Sequence, residues 1–219
     1  MKKIRLLALS FIVSMSLMGA GYASWADSLV IGNTVSTGSL NMNFVNNAEY
    51  PKTLASEFVI SSAVVSEDKK TVTVKLENLY PGAYAAFKLE GINAGTIPAK
   101  ITGVNVEILG DKDELLPYLT YDAGFSLDKD GDDIADGAVN KFSGSLENIG
   151  IDFNAEIQPY KDLQLEPNNK GNIKFGIIDN GNANDGYIII HFDEDAPSET
   201  QDKSIQCNIT FDFVQFNVD

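Results

Sequence analysis

Polar and apolar residues alternate with period two along much of this chain. Thr71-Val72-Thr73-Val74-Lys75-Leu76-Glu77 does so without a break, which puts Val72, Val74 and Leu76 on one face of a β-strand. Leu40-Asn41-Met42-Asn43-Phe44, Val104-Asn105-Val106-Glu107-Ile108 and Cys207-Asn208-Ile209-Thr210-Phe211-Asp212-Phe213 repeat the pattern. In the last of these the phase slips at Val214 and resumes at Phe216, the mark of a β-bulge. Residues 57–65, 83–90, 161–166, 172–178 and 187–192 are further strand candidates. The run Tyr187-Ile188-Ile189-Ile190 is apolar on both faces and predicts a central strand.

Turn chemistry separates these runs at Glu67-Asp68-Lys69-Lys70, Pro81-Gly82, Pro167-Asn168-Asn169-Lys170-Gly171 and Asp179-Asn180-Gly181. The segments around Pro81-Gly82 and Pro167–Gly171 each read as a strand, a turn and a returning strand, hence two hairpins. Short strands at this spacing predict an all-β, antiparallel sandwich. Helical signal is confined to 111–119, with Asp111 or Asp113 as N-cap and Pro117 limiting its length, and to 143–149. Both read as short helical insertions between strands.

The first residues follow a different pattern. Lys2, Lys3 and Arg5 precede an apolar run from Leu6 to Met18, then the small residues Gly19, Ala20, Gly21 and Ala23. This order predicts a secretory signal peptide over 1–23, cut between Ala23 and Ser24, with a cut after Ala26 as the fallback. The run is short of the ~20 residues that a spanning helix needs, so no stable membrane span is expected after processing. What remains is a single domain, 24–219. Removing three cations and no carboxylates takes the formal net charge from −15 to −18. Such a chain repels nucleic acid and anionic membranes and attracts divalent cations.

The acids are not evenly spread. Asp128-Lys129-Asp130-Gly131-Asp132-Asp133-Ile134-Ala135-Asp136 places Asp at positions 1, 3, 5 and 9 and an apolar residue at 7, the ligand spacing of calcium loops. It is similar to the Asp-rich repeats of thrombospondin type 3 and dockerin modules. Asp128, Asp130, Asp132, Ile134 and Asp136 are therefore the expected metal ligands, with Ca²⁺ as the ion that suits hard oxygens. Position 6 is Asp133 where Gly is usual, and position 12 is Val139, so another part of the fold must supply a ligand. Residues 179–185 and 193–195 are lesser acidic loops.

Catalytic signatures are sparse. The chain has one histidine, His191, no His-Glu-x-x-His and no Gly-x-Ser-x-Gly, which argues against a helical zinc protease and a nucleophile-elbow hydrolase. The single Cys207 sits in a strand pattern and reads as a small buried hydrophobe. No enzyme is expected. Tyr80, Tyr84, Phe87, Tyr118, Tyr121, Tyr160 and Tyr187 offer aromatic surface for a carbohydrate platform, or for the core.

Residues 19–44 carry a family resemblance. Tyr22-Ala23 is followed by Trp25 and Asp27, then by Gly38-Ser39-Leu40 and alternating apolar residues. Leu79-Tyr80-Pro81-Gly82, Glu90-Gly91-Ile92-Asn93-Ala94-Gly95-Thr96 and Ile209–Gln215 add short matches. Together these resemble the TasA/camelysin family of biofilm-matrix and cell-surface proteins, whose members are processed by a SipW-type signal peptidase. Residues 111–160 match nothing in that family and are a candidate insertion. The resemblance implies a jelly-roll-like sandwich, secretion to the matrix or surface of a Gram-positive bacterium, and self-assembly into fibres by donation of an N-terminal strand. Residues 24–37 are the expected donor, or else the first strand of the chain's own sheet; Ser28–Asn33 is apolar enough to fill a groove and free of proline. An accessory matrix protein or polysaccharide is the expected further partner. The alternative is a monomeric, calcium-stabilised surface module that binds glycan or a host protein.

Overall fold

A computed structural model describes residues 3–4, 10, 12–15, 37–177 and 186–217. The chain divides into two compact units, Met1–Thr37 and Gly38–Asp219. In the first, the described residues 3–4, 10 and 12–15 are helical. The expected cleavage site at Ala23 and Ser24 and all of the expected donor segment except Thr37 lie outside the described residues. Among the described residues no helix is long and apolar enough to cross a membrane.

The second unit is an all-β sandwich of two antiparallel sheets. The first sheet is built around β5 (Tyr84–Asn93). One edge of β5 pairs with β1 (Met42–Phe44) and β2 (Lys52–Ala55), the other with β9 (Asn172–Phe175) and β10 (Ile188–Phe192). Phe44 lies opposite Gly91 and Lys52 opposite Lys88; likewise Phe175 lies opposite Leu89 and Ile188 opposite Phe87. Each flank of β5 is thus one strand interrupted by an excursion. β7 (Leu119–Asp128) pairs with both β9 and β10, and β8 (Gly137–Ser145) closes that side. The second sheet runs β3 (Ile60–Val65), β4 (Thr71–Glu77), β11 (Ser204–Gln215), β6 (Ala99–Gly110).

The alternation predicts the faces well. Val72, Val74 and Leu76 point into the core, as do Ile205, Cys207 and Ile209 of β11. They meet Phe87, Leu89, Phe125, Leu127, Ile173, Phe175, Ile188 and Ile190 from the first sheet. Fully burying each such aliphatic or aromatic chain stabilises the fold by about 1.5–3 kcal/mol. Burial alone pushes the Cys207 thiol up to about 12, so it is an inert core residue. The central-strand expectation for Ile188–Phe192 holds, since β10 lies between β5 and β7. The β11–β6 register does shift between Asp212 and Phe213, but the extra residue is Thr102 of β6, so the expected irregularity falls on the partner strand.

Other expectations need correction. Residues 161–166 form no strand; only Leu165 makes an isolated bridge, to Ala99. Pro81-Gly82 does not close a hairpin, because β4 and β5 lie in different sheets and the turn is a crossover. The strand expected from residue 57 begins at Ile60, since Phe58 turns the chain with φ of 68°. Residues 111–160 are not set apart from the sandwich. They supply β7, to which β8, β9 and β10 all pair. Its inward residues Leu119, Tyr121, Ala123, Phe125 and Leu127 do alternate, but Asp122, Ala123 and Gly124 are weak strand formers and mask the signal. β8 is irregular because it bulges where β7 passes from Ala123 to Phe125.

Helix α1 is a single turn, Lys112–Leu115, followed by a 3₁₀ turn at Leu116–Tyr118. Asp111 occupies the N-cap position, yet its carboxylate accepts from Ser204 N (2.9 Å) instead of capping. The second helical signal holds in part: 143–145 finish β8, Leu146–Asn148 form a 3₁₀ turn, and it leads into a longer helix, α2, Ile149–Ile157. Its apolar residues Ile149, Phe153 and Ile157 recur every four positions and are buried.

Those residues seal one open side of the sandwich. α2 spans the gap between β8, an edge of the first sheet, and β6, an edge of the second. Phe153 enters between the sheets and meets Phe142 edge-on at 4.8 Å and Phe175 at 5.5 Å. Asn154 acts as a short piece of strand on the free edge of β6: its Oδ1 accepts from Val104 N and its Nδ2 donates to Val104 O, both at 2.8 Å. The opposite side is different. Among the described residues β3 pairs only with β4. Its outer edge is approached by β2, whose Thr53 Oγ1 donates to Ser61 O at 3.2 Å, but no backbone ladder joins the two strands. β3 carries no charge and no proline, and Ile60 and Val64 are exposed on it, Val64 at 62%. Leu54 and Phe58, also exposed, adjoin it along the chain, Phe58 at 76%.

Candidate metal centre and open sheet edge

The acidic loop joins β7 to β8. Gly131 (φ 78°) and Asp133 (φ 63°) turn the chain back, and Asp136 N donates to Leu127 O (2.8 Å) to close the loop. Asp133 thus adopts the left-handed conformation for which Gly is usual at that position. Asp128, at the end of β7, is 4% exposed and organises the turn. Its Oδ1 accepts from Gly131 N (2.7 Å) and Asp130 N (3.2 Å), and its Oδ2 from Asp133 N (3.0 Å).

Three of the expected ligands converge. Carboxylate oxygens of Asp128, Asp130 and Asp136 lie within 4.8 Å of one another, a cluster able to hold a metal ion. The Asp132 carboxylate does not join that cluster, and Ile134, at the position that ligates through its backbone carbonyl, has no side-chain oxygen to bring to it. Asp132 Oδ1 accepts from Ile134 N (2.9 Å), and the Ile134 side chain projects into solvent. A cation is already at hand: Lys129 Nζ is 2.7 Å from Asp136 Oδ1, and Lys129 N donates to Asp136 Oδ2 at 2.8 Å. Partial burial opposes ionisation of Asp136, but these Lys129 contacts outweigh it and hold the carboxyl below its usual range. Lys129 is raised in return, by its hydrogen bond to Asp136 and then by the neighbouring carboxylates.

One polar neighbour was not legible in the loop's spacing. Asn172 of β9 lies directly across from Asp128 in the β7–β9 ladder, with Nδ2 3.4 Å from Asp128 Oδ2. Register alone brings it there. The next outward row holds Glu90, Lys174 and Ser126. Lys174 Nζ reaches Asp133 Oδ1 at 3.4 Å, so the loop folds back over this outer face.

Glu90 senses the same field. Burial pushes its carboxyl above the usual range; Lys174 opposes this, Asp133 adds to it, Lys88 opposes and Asp128 adds. Between the ordinary carboxyl value and the raised folded value, the folded form therefore holds a proton that the unfolded chain has released. The contribution to stability is fully present below the ordinary carboxyl range and is lost as pH rises through the raised folded value. Glu90→Gln should accordingly melt above the parent at about pH 7 in chelator, with the gap closing below about pH 4. Melting curves at both pH values check this; an equal gap at both would locate the effect elsewhere.

The remaining candidates are dispersed. His191 is half-exposed on the outer face of the first sheet, with Nε2 3.2 Å from Asp122 Oδ2, which also meets Lys141 Nζ at 3.0 Å. Cys207 is buried in the other sheet. Phe87 and Tyr121 are core residues, and Tyr121 donates to Asp152 Oδ2 at 2.6 Å. Tyr160 donates to Ala138 O, and Tyr187 faces Lys88 Nζ at 5.7 Å. Tyr80 and Tyr84 project beside the Pro81-Gly82 turn. Residues 179–185 lie outside the described residues, and the 193–195 acids form a plain turn in which Asp193 Oδ1 accepts from Asp195 N. No protein-family model matches this chain, and no curated protein is significantly similar to it.

Proposed function

We propose that this chain is an exported structural protein of the TasA/camelysin type, which assembles with copies of itself in the matrix or on the surface of a Gram-positive bacterium and catalyses no reaction. The supporting observation is the unequal treatment of the two sides of the sandwich. The β6–β8 side is plugged by α2 and capped by Asn154, whereas the uncharged edge of β3 carries exposed Ile60 and Val64. Unpaired backbone on such an edge accepts an incoming strand. Residues 24–37, freed by cleavage between Ala23 and Ser24 by a SipW-type peptidase, are the proposed donor, with an accessory matrix protein or polysaccharide as further partner. Calcium is the proposed ion at the Asp128–Asp130–Asp136 cluster, since hard carboxylate oxygens suit it.

Electron microscopy and sedimentation of protein beginning at Ser24 test the reading. Filaments should grow with concentration, and protein beginning at Gly38 should form none. A monomer at every concentration would end the proposal. The second reading, a monomeric glycan-binding surface module, draws on the projecting rings of Tyr80 and Tyr84. It gains if such a monomer binds polysaccharide and loses that binding on Tyr84→Ala.

A further inference from the structure

Buried oxygens without a hydrogen-bond donor are rare, because each one loses water without replacement. Among the described residues there are three such buried side-chain atoms: Ser61 Oγ, Asp130 Oδ1 and Asn172 Oδ1. Two of the three lie at the acidic loop. Asn172 is 6% exposed. Its Nδ2 makes only marginal contacts, 3.4 Å to Asp128 Oδ2 and 3.4 Å to Lys170 O. We infer that Asn172 completes a divalent-cation site with Asp128, Asp130 and Asp136, and that Lys129 is the resident counter-ion which the arriving cation displaces.

The inference rests on the cation reading above and supplies what the loop's spacing leaves missing, a ligand from elsewhere in the fold. Asn172 stands beside Asp128 on the same face, because the two are paired across β7 and β9. Turning the amide about χ2 exchanges nitrogen for oxygen and presents a neutral, hard oxygen beside the three carboxylates. That donor set suits Ca²⁺, which takes carboxylate and amide oxygens in flexible geometry, better than Mg²⁺, which keeps a rigid, largely hydrated octahedron. It also gives Asp130 Oδ1 its partner. Lys129 Nζ lies 2.7 Å from Asp136 Oδ1. An ammonium supplies one positive charge where the cluster offers three negative ones, so a divalent ion competes for the same oxygen. Binding then joins β9 to the β7–β8 loop.

Calorimetric titration of CaCl₂ into the chelator-stripped full chain tests this, with melting curves alongside. Asn172→Ala should weaken calcium binding by about tenfold or more, and Asn172→Asp, which offers a charged oxygen at the same place, should tighten it. Lys129→Met should tighten binding severalfold. If the parent binds calcium and loses it on Asp130→Ala, yet both Asn172 variants bind with parental affinity, the cation reading stands and Asn172 is no ligand. Parental affinity in Lys129→Met overturns the displacement. If the parent binds no calcium and its melting point does not move, the cation reading and this inference fall together. Should Asn172→Ala fail to fold, Asn172→Asp decides alone, since unchanged affinity there removes the ligand.

Discussion

Phe153→Ala should lower stability by about 3–5 kcal/mol, a melting shift on the order of 10 °C for a domain of this size. Three things are lost together. Phe153 is buried, and its removal leaves a cavity between the sheets. Its ring also meets Phe142 edge-on at 4.8 Å, Phe175 at 5.5 Å and Phe125 at 6.5 Å, and aromatic pairs of this kind add about 0.5–1.5 kcal/mol each beyond area burial. Finally, Phe153 seats α2, so its loss loosens the neighbouring Asn154 from Val104 and uncovers the edge of β6. Thermal melting of purified variants checks the size of the effect. A shift near that of a surface substitution, within about 0.5 kcal/mol, would mean that α2 does not hold the sandwich closed. A variant that folds yet aggregates at low concentration would be the expected sign of a second open edge.

Val64→Lys should abolish filament growth while leaving the melting point nearly unchanged. Val64 points outward from β3 and is 62% exposed, so the sandwich loses little packing; surface changes of this kind usually fall within about 0.5 kcal/mol. Its effect is on the neighbour. A lysine on an edge strand must be desolvated or displaced before another strand can lie alongside, which is how many native sheets guard their edges. The control is Ile151→Lys. Ile151 is equally exposed but sits on α2, over the side already sealed, and this variant should assemble like the parent. Electron microscopy and sedimentation of both variants in protein beginning at Ser24 read the outcome. Filaments from Val64→Lys, or their loss from Ile151→Lys alone, would move the acceptor edge away from β3.

The candidate centre was legible only in part, and for a definite reason. Asp128, Asp130 and Asp136 are close in the chain, so their spacing in a tight turn already implies convergence, and the structure brings them within 4.8 Å. Asp132 carries the same spacing signal but does not join the cluster: beside the left-handed turn at Asp133, its Oδ1 accepts from the Ile134 amide instead. Asn172 has no signal in the sequence. It belongs to another strand, and only the pairing of β9 with β7 sets it opposite Asp128.

A similar division runs through the fold. Alternation along Thr71–Glu77 and Ser204–Gln215 determined which side chains face the core, because a strand's side-chain period of two is a local property of extended backbone. The apolar run at Ile188–Ile190 determined a central strand for the same local reason. Which strands share a sheet was decided by tertiary structure alone. Pro81-Gly82 reads as a hairpin turn locally but joins two sheets, and β1 with β2, like β9 with β10, makes one strand out of two separated segments. Pairing of that kind depends on contacts between residues far apart in the chain, and periodicity carries no information about them. The same holds for the sealed and open sides: nothing near Asn154 in sequence marks Val104 as its partner, and nothing near Val64 marks its edge as lacking a second ladder among the described residues. Both follow from where the two sheets end in space.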